Sequence, residues 1–423
     1  MWSQTLMKVL VELPQTNQSK QEFIEECRRQ YKHNNSQQRQ ITEFEKTYSS
    51  SGAISWYTRN GFLYRIINKA LRTQNIIHIF KCRFFIISIF QELAKSYSEF
   101  IETLENEIFT VYRGQLMITD EFSKLQANVN GYISFNTFVS TSISSEVVFP
   151  FTGLGESRPL LESILFEIEI DLDKNSTPFA KISQNNQFKS ENEVLICMGA
   201  VFRIEFIDKV NEDIWHVKLI SVDHNDYAKL DDLENYLKTE TNTTFTCLGL
   251  GRILQKMGEY DQAQALYEIL LAELPANHSD VFAIYNDLGM ALFKIQKNPQ
   301  ITLNYLLQSL TLSMKTFPKY FLMFTQTMIN ICSVYSASRN SNRALSLLHL
   351  TLRILGFIRS NNAFQIMSLQ KSETHNNIDC IYLKRGRLSL ALKYLKISLR
   401  IQKKYLPSNH PDIALTLNNI GMA

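Results

Sequence analysis

Apolar residues recur at helical spacing along about the first 105 positions of the chain. The segment 56–73 carries one such face, with charged residues between its members. That face consists of Leu63, Ile66, Ile67 and Leu71. The segment 76–90 is the most apolar stretch, but it contains Lys81 and Arg83 and is shorter than the ~20 residues of a membrane span. We therefore expect a mainly helical region in which 76–90 is a core helix.

A different periodicity begins near residue 107 and continues to residue 222. Short β-rich runs alternate with clusters of Gly, Asn and Ser that are typical of turns. The clearest alternation lies in the run 163–171. Its predicted inward residues are Ile164, Phe166, Ile168 and Ile170, and its other face carries Leu165, Glu167 and Glu169. Helices followed by short strands predict an α+β domain with an antiparallel β core.

Beyond a polar, acidic segment (231–244), for which we expect a connecting helix, the chain becomes helical and internally repetitive. Pairs of residues nine positions apart recur through this region: Leu254 and Ala263, Leu292 and Ile301, Tyr335 and Ala344, Tyr382 and Ala391. The stretch 277–289 is also echoed by 409–421. Such repetition predicts stacked helix pairs that share one continuous core.

The composition is that of an ordinary globular protein, with 45% hydrophobic and 20% charged residues. The net charge of +3 and the scattered basic residues give no reason to expect nucleic acid or a membrane as a partner. Six dispersed cysteines, without a CxxC pair, suit a reducing compartment. No HExxH motif or Cys/His cluster is present, so we expect no metal site. The N-terminus has no signal-peptide pattern, and we expect a cytoplasmic protein.

Three short polar motifs follow one another in the β-rich part: VYRGQ (111–115), SFNTFVSTS (134–142) and FKSENEVLI (188–196). Each alone has a plainer interpretation, such as an arginine at a strand end or a solvated pair of glutamates. On one strand, Glu191 and Glu193 would lie on the same face about 7 Å apart. A fourth motif, GLGRIL (249–254), lacks the third Gly and the preceding strand of a dinucleotide-binding site. We therefore assign it to helix packing.

The three motifs, in this order and at this spacing, resemble the Arg–Ser–Glu signature of the arginine-specific mono-ADP-ribosyltransferases. These enzymes move ADP-ribose from NAD to a protein side chain. The resemblance covers roughly residues 45–222 and implies an α+β ADP-ribosyltransferase domain. It also implies NAD as the co-substrate, with NADP as an alternative, and a protein with an exposed arginine as the acceptor.

The resemblance assigns the nucleotide-binding residues. Arg113 would bind the pyrophosphate through its fork of N–H donors, and Gly114 would let the backbone approach the nicotinamide amide. Ser140 would hold the catalytic glutamate in place. Thr141 and Ser142 would line the nucleotide pocket. Phe149 or Phe151 would stack near the nicotinamide, although either residue equally suits a core.

The two glutamates would have different tasks. Glu193 would stabilise the positive charge that develops on the ribose when nicotinamide leaves. Glu191 would orient the acceptor guanidinium and accept a proton from it, because a guanidinium with a pKa above ~12 is a poor nucleophile. Phe188 occupies the position of the aromatic residue that recognises the acceptor.

The helical part resembles tetratricopeptide repeats of the kinesin-light-chain-like variety. Ile301 stands where a small residue is expected, and Cys332 and Asp379 stand where glycine is usual. The resemblance implies a groove that binds a peptide or a helix. The predicted division is a helical or polar lead (1–44), a catalytic domain (45–222), a linker (223–243) and repeats (244–423), of which the last is incomplete.

Together these features predict an NAD-dependent protein-arginine ADP-ribosyltransferase whose repeats recruit the target or a scaffold. Three alternatives stay open. The same pocket could serve an NAD glycohydrolase, with water as the acceptor. The domain could bind nucleotide without catalysis in an interaction protein. The chain could also be a toxin-like effector directed at a foreign protein.

Overall fold

A computed structural model describes most of the chain. The described residues are 6–7, 9–11, 16–59, 61–155, 159–173, 177–182, 193–222, 247–275, 278, 280–296, 298–357, 363–408 and 410–422. The chain divides into two compact units, Met1–Leu250 and Gly251–Ala423. The predicted connecting helix at 231–244 lies outside the described residues.

The first unit begins with helices α1 to α5. Their bounds are Asn17–Gln30, Asn35–Thr47, Ala53–Thr58, Phe62–Thr73 and Ile76–Ile101. A 3₁₀ turn, Ser50–Gly52, precedes α3.

Aromatic side chains join these helices into one core. The ring of Phe23 in α1 stacks on Phe85 in α5, with 5.6 Å between the centroids. The predicted apolar face of α4 is buried as a whole. The prediction for 76–90 is also confirmed, because α5 buries most of its apolar residues, with Ile77 as an exposed exception. Both basic residues of this segment form ion pairs. Lys81 lies 3.3 Å from Glu26, and Arg83 lies 2.9 Å from Glu22.

Strands β1 to β8 form one sheet in the described part of the chain. Their bounds are Ile108–Ile118, Tyr132–Ser134, Val139–Ser142, Leu161–Asp171, Phe179–Lys181, Glu193–Ile196, Val201–Lys209 and Ile214–Ser221. Helix α6 (Thr119–Ala127) follows β1, and helix α7 (Ser145–Val148) with a 3₁₀ turn (Phe149–Thr152) follows β3. The strand order is β2-β7-β8-β4-β1-β3-β6-β5.

The alternation predicted for β4 is confirmed: its four inward residues are buried in the main core of the sheet. The antiparallel prediction was wrong in one place. Strand β4 pairs with β8 in parallel, in the register Ser163 to Ile214, so the sheet is mixed. Leu165 is also buried, in a small second cluster on the opposite face of β4.

The second unit and the residues just before it form helix pairs α8 to α16. Their bounds are Cys247–Lys256, Tyr260–Glu273, Val281–Lys294, Pro299–Lys315, Phe321–Ala337, Ser341–Phe357, Phe364–Lys384, Leu388–Tyr405 and Pro411–Met422. Gly251 has the predicted packing role, because a Cβ there would lie 2.3 Å from the ring of Tyr267.

One predicted repeat position was wrong. Ile301 is 47% exposed, whereas Thr302 is fully buried like Ala263, Ala344 and Ala391 in the other repeats. The physical reason is the preceding turn. In three repeats, the turn contains a residue with a left-handed backbone five positions before the buried alanine: Gly258, Arg339 or Gly386. In the remaining repeat, the corresponding residue is Gln296, which lies six positions before Thr302. The extra residue moves the small side chain by one position.

Among the described residues, no helix combines the length and the apolar character that crossing a membrane requires.

Candidate active site

Residues from all three sequence motifs meet on adjacent strands. The third motif contributes its second glutamate, Glu193. Strand β1 carries Arg113, β3 carries Ser140, and β6 begins at Glu193. Strand β3 lies between β1 and β6, and it contacts β1 through the single residue pair Tyr112 and Ser142. The sheet therefore brings together residues that are far apart in the sequence.

Ser140 and Glu193 share a direct hydrogen bond. Ser142 lies opposite Glu193 in the antiparallel β3–β6 pair, so Ser140 is its diagonal neighbour on the same face. The Ser140 hydroxyl donates to Glu193 Oε1 at 2.5 Å. Hydrogen bonds from hydroxyls to carboxylates are short and comparatively strong. The bond fixes one carboxylate oxygen and orients the other, while both side chains stay partly exposed.

Arg113 connects β1 to the same point. Its Nη1 donates to the carbonyl oxygen of Ser140 at 2.8 Å, and its Nε donates to Gln115 Oε1 at 3.1 Å. Burial lowers the pKa of the guanidinium, and neighbouring Tyr64 and Tyr57 oppose that shift. An arginine stays charged in such a setting. Among the described residues, the remaining guanidinium N–H groups are free to meet an anion.

Gly114 is required by packing. A Cβ at this position would lie 2.2 Å from the carbonyl oxygen of Val148 and 3.0 Å from the amide nitrogen of Thr152. Backbone atoms cannot move aside cheaply, so the segment 148–152 can lie against β1 only because residue 114 has no side chain. The predicted contact between this backbone and nicotinamide stays a prediction.

Thr141 and Ser142 are both almost completely buried. The Thr141 hydroxyl donates to the carbonyl oxygen of Val194 at 2.8 Å, on the face of β3 opposite to Ser140. The Ser142 hydroxyl accepts from the amide of Ser144 at 3.2 Å. These bonds brace the β3–β6 pair and the following turn. Contact of either residue with a nucleotide stays a prediction.

The two candidate aromatic residues differ in their surroundings. Phe149 packs against a small cluster formed by Val148, Leu165 and Ile214. Phe151 is 60% exposed. Stacking of Phe149 near nicotinamide therefore stays a prediction, and Phe151 is the more accessible ring. Phe188 and Glu191 lie outside the described residues.

A buried polar pair beside the site was not singled out from the sequence. Tyr57 in α3 donates its hydroxyl to Asn68 Oδ1 in α4 at 3.1 Å. Burial and Tyr64 raise the pKa of Tyr57, which also responds to the charges of Arg113 and Glu193. The Tyr57 ring also contacts Phe138, two residues before Ser140, with 5.6 Å between the centroids, so α3 lies beside the start of β3. Apolar spacing alone could not show the polar pair, because its two residues lie on separate helices and meet only in the folded protein.

The arrangement combines a cation with a positioned carboxylate. Arg113 offers N–H donors to a phosphate, and Glu193 offers a fixed negative charge to a developing cation. Among the described residues, no group of His, Cys, Asp and Glu side chains is arranged to hold a metal ion.

Solved structures resemble both parts of the chain. The Vis toxin of Vibrio splendidus, an ADP-ribosyltransferase, is 20% identical over 51% of this chain and 90% of its own, with a TM-score of 0.31. The ADP-ribosyltransferase HopU1 of Pseudomonas syringae is 18% identical over 49% of this chain and 98% of its own, with a TM-score of 0.32. The kinesin-light-chain-like repeats of a Podosopora anserina protein are 21% identical over 42% of this chain and 82% of their own, with a TM-score of 0.30. No curated protein matches the sequence.

Two family models match the sequence itself. A tetratricopeptide repeat model matches residues 246–279. A model for the ADP-ribosyltransferase exoenzyme domain matches residues 21–235, just over half of the 423 residues. The match begins in α1, and the predicted domain bounds of 45–222 stay a prediction. The chain belongs to the ADP-ribosyltransferase exoenzyme family and carries tetratricopeptide repeats after its transferase domain.

Proposed function

We propose that the protein transfers ADP-ribose from NAD to arginine side chains of an acceptor protein. The observation that carries the proposal is the hydrogen bond from Ser140 to Glu193, beside the Arg113 guanidinium. Membership of the ADP-ribosyltransferase family supplies the reaction class and NAD as co-substrate. The choice of arginine as acceptor rests on the pair of glutamates at 191 and 193 in the sequence.

The charged residues at the site are chemically complementary to NAD. The pyrophosphate is a dianion. Arg113 uses two guanidinium N–H groups for hydrogen bonds within the protein, and its other N–H groups can donate to the pyrophosphate. The Glu193 carboxylate, held by Ser140, is the group that can stabilise the ribose cation. Arg113 is itself held by the Ser140 carbonyl, so the cation and the carboxylate have a fixed separation.

The proposed reaction exchanges one C–N bond for another. The bond between the anomeric carbon and the nicotinamide nitrogen breaks, and its electron pair leaves with neutral nicotinamide. A nitrogen of the acceptor guanidinium then forms the new bond and loses a proton. Glu193 stabilises the charge on the anomeric carbon between these events, and Glu191 is proposed to receive the proton.

The repeats are proposed to recruit the acceptor or a scaffold. Their buried amides support a regular helical array: Asn330 in α12 donates to Asn286 Oδ1 in α10 at 2.9 Å, and Thr327 donates to the same oxygen at 3.1 Å. Arrays of this kind present an extended surface to a partner.

Incubation with labelled NAD and agmatine tests the proposal, with both modified agmatine and free nicotinamide measured. We expect Glu193→Gln to lower both products by about 100-fold or more, because it removes the charge but keeps the shape. The matched control is Glu205→Gln, on the exposed part of β7. Normal turnover by the Glu193 variant would refute the proposal. NAD consumption without modified agmatine in the wild type would point to a glycohydrolase instead.

Glu191→Gln separates the two halves of the chemistry. We expect transfer to agmatine to fall while slow hydrolysis of NAD continues, because the acceptor and not the ribose is affected. Equal loss of both activities would contradict the acceptor role of Glu191.

A further inference from the structure

Four exposed apolar side chains gather at the end of β1, next to the candidate active site. They are Leu116, Ile118, Leu154 and Leu160, and we call them the β1-end patch. Leu160 is 78% exposed and Ile118 is 53% exposed. Contiguous exposed apolar residues on a folded domain mark interaction surfaces more often than isolated ones do.

The backbone shows that these residues are neighbours. Leu116 contacts the turn that holds Leu154, because a Cβ on Gly153 would lie 2.8 Å from Leu116 Cδ2. The Thr119 hydroxyl donates to the carbonyl oxygen of Leu160 at 3.2 Å, which places Leu160 beside the end of β1. Leu116 and Ile118 lie on the same face of β1 as Gly114, since side chains alternate along a strand.

Leu154 occupies a costly conformation. Its φ of +49° lies in the left-handed region, which is unfavourable for a leucine. The turn is nevertheless fixed. The Gly155 amide donates to the Ser163 hydroxyl at 2.9 Å, and the Leu154 amide donates to the Thr152 hydroxyl at 3.3 Å. A strained backbone that displays an exposed leucine is the kind of outlier from which a role can be inferred.

Acidic residues border the patch. Asp120 and Glu121 follow Ile118 in the first turn of α6. Asp213 lies against Gly155, where a Cβ would be 2.6 Å from the Asp213 Cβ. A complementary partner therefore presents an apolar segment with positive charge nearby, which suits the surroundings of a modified arginine.

The patch lies within reach of an acceptor bound at the site. Leu116 and Ile118 follow Arg113 by three and five residues on one strand, or about 10 and 17 Å at ~3.3 Å per residue. An ordinary protein interface covers about 800 Å² on each partner, a disc of roughly 16 Å radius. An acceptor centred on the site would therefore cover Leu116 and reach the edge of the patch near Ile118.

We infer that the β1-end patch docks an apolar segment of the acceptor protein close to the arginine that is modified. This inference rests on the proposed function and adds to it a determinant of acceptor choice. It makes the patch a specificity surface, distinct from the groups that touch NAD.

Two synthetic peptides with a single arginine test the inference on the full chain. One carries leucines three to six residues to each side of the arginine, and the other carries serines at those positions. We expect the wild type to prefer the leucine peptide in kcat/KM by about tenfold or more, the effect of burying one leucine side chain. Equal kcat/KM for the two peptides would overturn the inference.

Matched variants locate the effect. Ile118→Thr and the double variant Leu154→Asn/Leu160→Gln should lose the preference but keep normal activity on agmatine and on the serine peptide. Asparagine tolerates the left-handed backbone, so the turn should be kept. Ile108→Thr is the control, since Ile108 lies at the other end of β1 and is 55% exposed. A preference retained in the patch variants would also overturn the inference.

Two other occupants of the patch would give different experimental results. A wild-type dimer that the patch variants dissociate in sedimentation velocity would assign the patch to a second copy and overturn the inference. A lower Tm of the patch variants would assign it to another part of the chain, with the same consequence. Failure of the proposed function is different, because no acceptor would then become modified by the wild type.

Discussion

The Ser140 hydroxyl lies 2.5 Å from Glu193 Oε1, although 53 residues separate the two in the sequence. The β3–β6 pairing produces this contact by placing Ser142 opposite Glu193. The serine thus holds a carboxylate that belongs to a different strand. Its proposed role is positioning, and that role can be tested separately from charge.

Ser140→Ala should lower kcat by about 10- to 100-fold, the usual worth of a hydrogen bond to a charged group. The KM for NAD should change little, because the carboxylate is still present but is no longer held. Steady-state kinetics of nicotinamide release measure both constants. Ser123→Ala, at an exposed serine in α6, is the control. A large rise in KM with unchanged kcat would contradict the positioning role.

Arg113→Lys should weaken NAD binding by about tenfold, although the charge is kept. An ammonium is a point donor, and it cannot contact the Ser140 carbonyl, Gln115 and a phosphate in one plane. Calorimetric titration with NAD measures the affinity, and Arg353→Lys in the repeats is the control. Unchanged affinity in a variant with an unchanged Tm would remove Arg113 from the nucleotide site.

The site also shows where prediction from sequence succeeded. Alternation in β4 and helical spacing in α4 are local patterns, and both predicted the buried faces. The ordered motifs predicted that Arg113, Ser140 and Glu193 would come together. Their contacts could not be derived from spacing alone, because the sheet brings them together through pairings across long stretches of chain.

Other features were out of reach for the same reason. The parallel pairing of Ser163 with Ile214 depends on a connection of about fifty residues that no local period encodes. The nine-residue register failed at Ile301 because a single extra residue in a turn changes which side chain enters the core. Tyr57 and Asn68 lie on separate helices and meet only in the folded protein.

Asp379→Ala should stabilise the repeat unit, and more so at higher pH. Asp379 is fully buried at the position that Gly251 and Gly289 occupy in other repeats, and burial raises its pKa from 3.8 to about 7. Since the folded pKa lies above the unfolded value, wild-type stability falls as pH rises from about 4 to 7 and stays low above that. The full effect above pH 7 is up to about 4 kcal/mol.

Thermal unfolding of wild type and variant between pH 4 and pH 8 measures this difference. The Tm advantage of Asp379→Ala should be greatest at pH 8 and should shrink towards pH 4. Glu268→Ala, at an exposed position in α9, should show no such trend. An advantage that does not change with pH would mean that the gain comes from packing and not from removal of a buried charge.

The repeats should be dispensable for chemistry on a small acceptor. Arg113, Ser140 and Glu193 all lie before residue 200, and the first repeat match begins at residue 246. A chain ending near residue 243, at the end of the predicted linker, should therefore modify agmatine at the wild-type rate. On a native protein acceptor it should lose efficiency mainly through a higher KM, since a bound repeat array raises the local concentration of its partner. If the truncated chain has a native circular dichroism spectrum and is inactive on agmatine, the repeats must complete or brace the catalytic site, and independent modules would be ruled out.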